Sequence, residues 1–458
     1  MSSSIGEIVE RQRDFFRTNK AKDVGFRIEK LKRLESAILA YEKRISEALH
    51  RDLHRSETEG YITEIGLALN EISYAIKHLS SWAKPKKVRK PLIFPFSKSL
   101  VIHEPYGVVL IIAPWNYPLH LTMLPLVGAI AAGNCVAIKP SEMSPNTSKV
   151  IHDMIEEYFE DSYIACFQGN AEVAQQLLDQ EFDFIFFTGG TSIGRIVMKA
   201  AAEHLTPLTL ELGGKSPCIV DKNIDVEKTA SRIVWGKFIN AGQTCIAPDY
   251  LLAYGEIKES LVNALKRKIL KFYGSDPKQS KDYCRIINKK HFDRLSAYLN
   301  EGDVVFGGET DSEELYISPT LIENVPIKAK VMREEIFGPI IPIVEYSKIS
   351  EAISFVNSLP KPLATYIFSN DKKIQQKIIR ETSSGGVCIN DTMIQLYPKE
   401  LPFGGVGDSG FGRYHGKISF ESFSNKRSIM RQSVLFDLKS RYPPFSEKIL
   451  KIVKKVLK

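Results

Sequence analysis

The six cysteines of this 458-residue chain, at positions 135, 166, 218, 245, 284 and 388, form no CxxC pair and have no framework spacing. That excludes the commonest zinc and dithiol patterns, and no metal is expected. Scattered thiols in or beside apolar runs fit a reduced, cytoplasmic protein better than a disulfide framework. The N-terminus, MSSSIGEIVERQRDFFRTNKAK, lacks the apolar core of a secretory signal and reads as a charged amphipathic helix. A membrane span is also missing. Residues 117–138 carry no charge, but Pro118, Pro125, Gly128, Gly133 and Asn134 interrupt them. A buried helix followed by a buried strand is predicted there. There is no internal repeat and no low-complexity tract.

The net charge of +8 does not describe a basic protein. Residues 81–100 carry six Lys/Arg and no acid, residues 439–458 carry seven with one acid, and the rest stands at −4. Neither basic segment interleaves its charge with a recognisable RNA or DNA motif, so nucleic acid is not an expected partner. The apolar fraction of 43% and charged fraction of 25% belong to a globular protein long enough for two large domains.

After a helical N-terminal region ending near Trp82, short apolar runs at 108–113, 136–138, 163–167 and 184–187 alternate with helical patterns at 147–159 and 171–178. Runs that are apolar throughout are covered on both faces, which implies parallel sheets in an α/β fold. A second series begins near Glu211, with strands at 218–220, 340–344, 365–368 and 387–389 and helices at 225–238 and 259–272. Residues 84–99 are too long for a turn and too apolar, at Leu92, Ile93 and Phe94, for a plain linker. They read as a projecting arm with which a β-rich stretch at 419–430 could pair.

The chemistry-bearing residues sit in glycine-rich turns. Gly242-Gln-Thr-Cys245 offers a lone thiol as nucleophile, and Glu211 in Glu211-Leu-Gly-Gly-Lys215 offers a general base for the thiol or for a later water. Residues Gly189, Gly190, Thr191, Ser192, Ile193 and Gly194 follow an apolar strand and open a helix, a unit suited to a pyrophosphate or simply a tight turn. The spacing is not G-x-G-x-x-G. Lys139 and Glu142 end another strand and could hold ribose hydroxyls or form a solvated loop. Asn116, between prolines in Ala113-Pro-Trp-Asn-Tyr-Pro118, could stabilise an oxyanion or satisfy its own turn. Glu335 and Phe337 precede a Gly-Pro turn, and residues 401–412 are dense in glycine.

PWNYP, IKPSE, FTGGTSIG, ELGGKSP, GQTC, EEIFGP and LPFGGVGDSG occur in the order and approximate spacing of the aldehyde dehydrogenase superfamily, from about residue 100 to 430. The chain further resembles the short, class-three branch through GQTCIAPDY and LPFGGVGDSGFGRYHGKISFESFS, and lacks the N-terminal extension of longer members. The resemblance implies two α/β domains with parallel sheets and a small β oligomerisation arm. The Rossmann-like NAD(P)-binding domain would comprise 1–80 and 100–210, the catalytic domain 211–400, and the arm 81–99 and 415–432. A basic amphipathic helix is expected within 440–458, led by Pro443 and Pro444 with Ser446 as N-cap. It would cover the substrate mouth of a partner subunit or lie weakly on an anionic membrane.

The resemblance also implies oxidation of an apolar aldehyde, medium- or long-chain aliphatic or aromatic, to a carboxylic acid. Cys245 is the implied nucleophile, Asn116 the oxyanion donor and Glu211 the water-activating base, with Glu335 as a further carboxylate that could act as base. Lys139 and Glu142 would bind the adenosine ribose, the 189–194 turn the pyrophosphate, and Glu335 and Phe337 the nicotinamide side. Glu142 would favour NAD, with NADP also accommodated. Tyr117 and Phe403 suit an apolar tunnel, and a homodimer is implied. Two other readings are a CoA-acylating aldehyde dehydrogenase and a non-catalytic binding or structural protein that retains the fold.

Overall fold

Strands with no polar face must be buried between layers, and the apolar runs form the centres of two separate parallel sheets. The computed structural model describes residues 4–90, 94, 96–435, 437 and 441–456. Leu92 and Ile93 of the expected apolar arm, and Lys458 of the tail, lie outside them.

The first sheet has six strands, ordered Gly410–Phe411, Leu208–Glu211, Phe184–Thr188, Val108–Ile112, Cys135–Lys139 and Ile164–Cys166. Only Gly410–Phe411 runs antiparallel, pairing Gly410 with Glu211. The N-terminal helices Ile5–Arg17, Val24–Leu53 and Gly66–Trp82 contribute their apolar faces to the core of this sheet. Ser4 caps the first of them with a capping box to Glu7. The uncharged stretch resolves into the fully buried helix His120–Ala132 and the fully buried strand Cys135–Lys139. Gly128 on that helix permits close packing, since a Cβ there would lie 2.7 Å from the Ser419 side chain.

The second sheet has seven strands, ordered Asp303–Phe306, Thr320–Glu323, Ile340–Tyr346, Tyr250–Tyr254, Pro217–Val220, Ala364–Phe368 and Gly386–Ile389. All neighbouring pairs but the first are parallel. It has its own core, and Leu53, Trp115 and Ile287 form a small cluster with partly buried Phe337 where elements of both halves meet.

A third, antiparallel sheet joins Lys86–Val88, Ser97–Pro105 and Ser424–Gln432. The arm thus pairs with the late stretch, in continuous register from Ser424 opposite Pro105 to Gln432 opposite Ser97. The β-rich reading of 419–430 is corrected at its start, because Gly416–Ser422 is a helix. Phe420 and Phe423 are both fully buried, and that packing overrides their β propensity. The tail forms the helix Glu447–Val456, with the Ser446 hydroxyl accepting the Ile449 N–H at 3.3 Å. Among the described residues, no helix is long and apolar enough to cross a membrane.

Candidate active site

Several strands of the first sheet lead into one region: Val108–Ile112 runs on to Asn116, and three others end on Lys139, Thr188 and Glu211. Ligands gather at such strand C-termini in open α/β sheets. The second sheet contributes loops that enter two of its strands, with Cys245 ahead of Tyr250–Tyr254 and Glu335 ahead of Ile340–Tyr346. Cys245 and Glu211 border two adjoining cavities. One is almost wholly apolar and is lined by Tyr117, Trp235, Met393, Phe403 and Tyr414. The other is a more polar cleft lined by Asn116, Gly189, Gly190, Ser192, Glu335 and Phe337. The thiol therefore sits at a junction between an apolar chamber and a polar cleft.

The loop that carries the thiol has an uncommon backbone. Asn240, Ala241 and Gly242 are all left-handed, with φ of 52°, 50° and 74°. A Cβ at Gly242 would lie 2.3 Å from the Gly338 carbonyl oxygen, so glycine is required there. Side chains hold the strain in place. The Asn240 amide donates to the Asn116 and Gln243 carbonyls at 2.9 and 3.0 Å. Gln243 donates to the Arg285 carbonyl at 2.9 Å and accepts the Ile287 N–H at 3.0 Å. The Tyr117 and Thr244 hydroxyls are 2.7 Å apart. Asn116 gives one side-chain N–H to the Gln243 carbonyl at 3.0 Å, and its amide has a second to offer a ligand.

Burial sets the charge states. Desolvation, then the nearby Glu335 and Glu211, push the Cys245 thiol above its ordinary value, and the N–H groups of Cys245 and Ile246 pull the other way. Glu211 is buried with neither oxygen hydrogen-bonded, so desolvation raises it well above the carboxylate range against the weaker pull of Arg413. Burial and then Asp249 push Glu335 up to about 8, opposed by the Gly214 N–H, Lys215 and Arg294. Burial thus favours the protonated form of all three groups in the resting protein.

Lys215 braces the Glu335 loop. Its ammonium pairs with Asp249 and donates to the Val331 and Glu334 carbonyls at 2.8 and 2.9 Å. Asp249 in turn accepts the Ile336 N–H at 3.0 Å. Phe337, itself at φ 50°, meets Trp115 edge-on at 5.4 Å.

The aldehyde dehydrogenase family model matches residues 2–429. The chain belongs to this family. It is 49% identical to the 4,4'-diaponeurosporen-aldehyde dehydrogenase of Staphylococcus aureus, over 95% of each chain. It is 46% identical to aldehyde dehydrogenase family 3 member B1 of Rattus norvegicus, over 98% of this chain and 97% of that one. The dimeric NADP-preferring aldehyde dehydrogenase of Canis lupus familiaris is also 46% identical, over 96% and 98%. The substrate-bound structure of Staphylococcus aureus AldH superposes with a TM-score of 0.98 at 47% identity over the whole of both chains. The protein is an NAD(P)-dependent aldehyde dehydrogenase of the class-three branch.

The polar cleft fits a dinucleotide. Gly190 caps the helix Thr191–Glu203, whose first N–H groups have no partner within the helix, and a Cβ at Gly190 would meet nothing within 4 Å. Gly194 is buried against Leu212, Ser192 is exposed, and Ile193 is half-exposed beside them. Lys139 is buried, and its ammonium reaches the exposed Glu142 carboxylate at 3.1 Å. Among the described residues there is no group of three or more side chains that could hold a metal.

Sequence reasoning did not single out Arg55, Glu64, Thr63, His120, Trp235 or His415, which line or brace the site. Arg55 lies in the short link after helix Val24–Leu53 and Glu64 in the π-type turn that follows, and neither belongs to a motif. The one available signal was the charge-free run around His120, since a helix buried on all sides has its ends inside the protein too.

If Cys245 and Glu211 act as nucleophile and base, activity is expected to rise with pH, because burial makes both keep protons they would have to lose. A profile of kcat/KM against pH checks this; a flat or falling profile would contradict it.

Proposed function

We propose that this enzyme oxidises apolar aldehydes, medium- or long-chain aliphatic and aromatic, through a covalent thioester on Cys245. The position of a single thiol between an apolar chamber and a dinucleotide-shaped cleft carries this reading. Cys245 gives its thiol proton to solvent and attacks the aldehyde carbon as a thiolate, forming the S–C bond of a hemithioacetal. The Asn116 side-chain N–H and the Cys245 backbone N–H stabilise its oxyanion. The nicotinamide coenzyme, when bound, supplies the acceptor for the hydride that leaves this carbon. Glu211 then takes a proton from water as the oxygen attacks the thioester carbonyl, releasing the carboxylic acid and the Cys245 thiolate.

Lys139 and Glu142 would hold the adenosine ribose, the turn at Gly189, Gly190, Thr191, Ser192, Ile193 and Gly194 the pyrophosphate, and Glu335 and Phe337 the nicotinamide side. The carboxylate at Glu142 disfavours a 2′-phosphate and favours NAD. The NAD(P)-binding part would comprise 1–80 and 100–210, and the catalytic part 211–400. Tyr117 and Phe403 would face the aldehyde's hydrocarbon. The Staphylococcus aureus relative is named for 4,4'-diaponeurosporen-aldehyde, which supports an aldehyde substrate. Glu211 speaks against CoA as acyl acceptor, since a thiol needs no water-activating base.

The protein is further proposed to be a homodimer joined through the three-stranded sheet. Among the described residues its outer strands, Lys86–Val88 and Ser424–Gln432, each leave an edge unpaired, and Val88 and Met430 are exposed. The tail helix exposes Leu450, Ile452 and Val453 beside Lys448, Lys451, Lys454 and Lys455, which suits weak peripheral contact of a cytoplasmic protein with an anionic membrane.

Glu211→Gln is expected to keep a rapid first turnover of NADH while the steady-state rate falls at least about 100-fold, because only deacylation needs the base. Stopped-flow absorbance with aldehydes of graded chain length and benzaldehyde reads both. Loss of the burst together with the steady state would assign Glu211 to the earlier step. Light scattering is expected to give a mass near twice 51.6 kDa. A mass near one chain would remove the dimer.

A further inference from the structure

The link after helix Val24–Leu53 and the short helical turns that follow carry three charged residues that end inside the molecule: Arg55 in the link, and Glu59 and Glu64 in the turns. Residues Tyr61–Ile65 form a wide π-type turn that buries Thr63, Glu64 and Ile65 in succession. A regular α-helix would point one of three consecutive residues away from the core. Such turns recur at functional sites. Here the turn places Thr63 at the apolar chamber and Glu64 beneath the Asn116 loop.

Glu64 accepts the N–H groups of Leu119 and His120 at 2.8 and 2.9 Å and pairs with the Arg55 guanidinium. Arg55 is 1% exposed and donates to the Asn116 backbone carbonyl at 2.7 Å. That same carbonyl accepts the Asn240 amide, and the Asn240 backbone N–H donates to Glu59 at 3.0 Å. Glu59 lies 3.6 Å from the Arg55 Nε, and the guanidinium also sits 4.7 Å over the Tyr117 ring. One cation thus ties the Asn116 segment to the left-handed loop that leads to Cys245. Arg55 borders neither cavity and has no place for contact with a substrate.

Stability alone does not account for this cluster, because buried ion pairs are often replaceable by apolar residues without loss. We infer that Arg55 is a positioning residue for the reaction, holding the Asn116 segment against the Cys245 loop so that the two oxyanion donors keep one geometry. This rests on the proposed role of Asn116. Lysine cannot replace the arginine, since a single ammonium has no planar fork to engage Glu64 and the Asn116 carbonyl together. Misplacing a donor by about 1 Å costs on the order of 100-fold in rate.

The test compares Arg55→Lys, Asn116→Ala and the double variant in the full-length protein by stopped-flow NADH bursts, with active sites titrated so that rates are per functional site. Arg55→Lys is expected to slow the burst about ten- to 100-fold, with aldehyde KM and coenzyme Kd within about threefold of wild type. The double variant should be no slower than Asn116→Ala, because both act through the same amide. Should Arg55→Lys fail to fold, Glu64→Gln, which removes the anchor and leaves Arg55 charged, is expected to slow the burst at least about fivefold. A reduced active fraction or melting temperature with an unchanged burst per site would show a purely structural role and overturn the inference. Additive losses in the double variant would also overturn it. An Asn116→Ala burst equal to wild type would remove the oxyanion reading and the clamp together. A slowed Asn116→Ala beside an unaffected Arg55→Lys would remove the clamp alone.

Discussion

A carboxyl group buried with neither oxygen hydrogen-bonded is the constraint around which this active site is arranged. Glu211 ends the strand Leu208–Glu211 of the first sheet with no hydrogen-bond partner on either oxygen, and desolvation there raises its pKa well above the carboxylate range. The surroundings keep partners away. A Cβ at Gly404 would come within 2.7 Å of the carboxyl, so the glycine-rich loop packs directly on it. Gly410 pairs with Glu211 itself, and a Cβ at Gly410 would lie 1.9 Å from the Leu210 carbonyl oxygen. The Arg413 guanidinium nearby is occupied by the Gly405 and Gly412 carbonyls. In the proposed mechanism, this uncommitted carboxylate, once it has lost its proton, is the group available to a water molecule when a thioester forms.

The second requirement is that two independently packed halves meet with sub-ångström accuracy. Each sheet has its own core, and the reactive groups come from both. Lys215 and Asp249 fix the Glu335 loop within the second half. Between the halves, Asn116 to Gln243, Asn240 to Asn116 and Tyr117 to Thr244 are direct hydrogen bonds. The strain of three successive left-handed residues before the thiol is tolerated because these bonds over-determine the loop.

Much of this was legible in the sequence, for a physical reason. Strands such as Cys135–Lys139 and Phe184–Thr188 are apolar throughout, and only a two-sided sheet can bury them. Gly242 and Gly189 are glycines because a Cβ would strike the Gly338 carbonyl or the Phe187 ring, so the motifs around them mark backbone close to a site. Other features depended on distant contacts. The 416–422 helix was hidden because Phe420 and Phe423 choose their conformation by packing against the His120–Ala132 helix. Nothing in the sequence marks Arg55 and Glu64 as buried, since the π-type turn that moves Glu64 inward leaves no mark in the helical periodicity. Lys237 is buried with its ammonium unpartnered and its pKa lowered to about 8 by desolvation, and nothing in its local sequence indicates this.

The central claim is that oxidation passes through an acyl group on Cys245, which Glu211 then releases. Mass spectrometry of the Glu211→Gln variant, quenched in acid after mixing with NAD and an aliphatic aldehyde, tests it most directly. The account predicts a single adduct on the Cys245 peptide, heavier by the mass of the aldehyde less two hydrogens. An unmodified Cys245 peptide while NADH is formed, or an adduct on another residue, would contradict it.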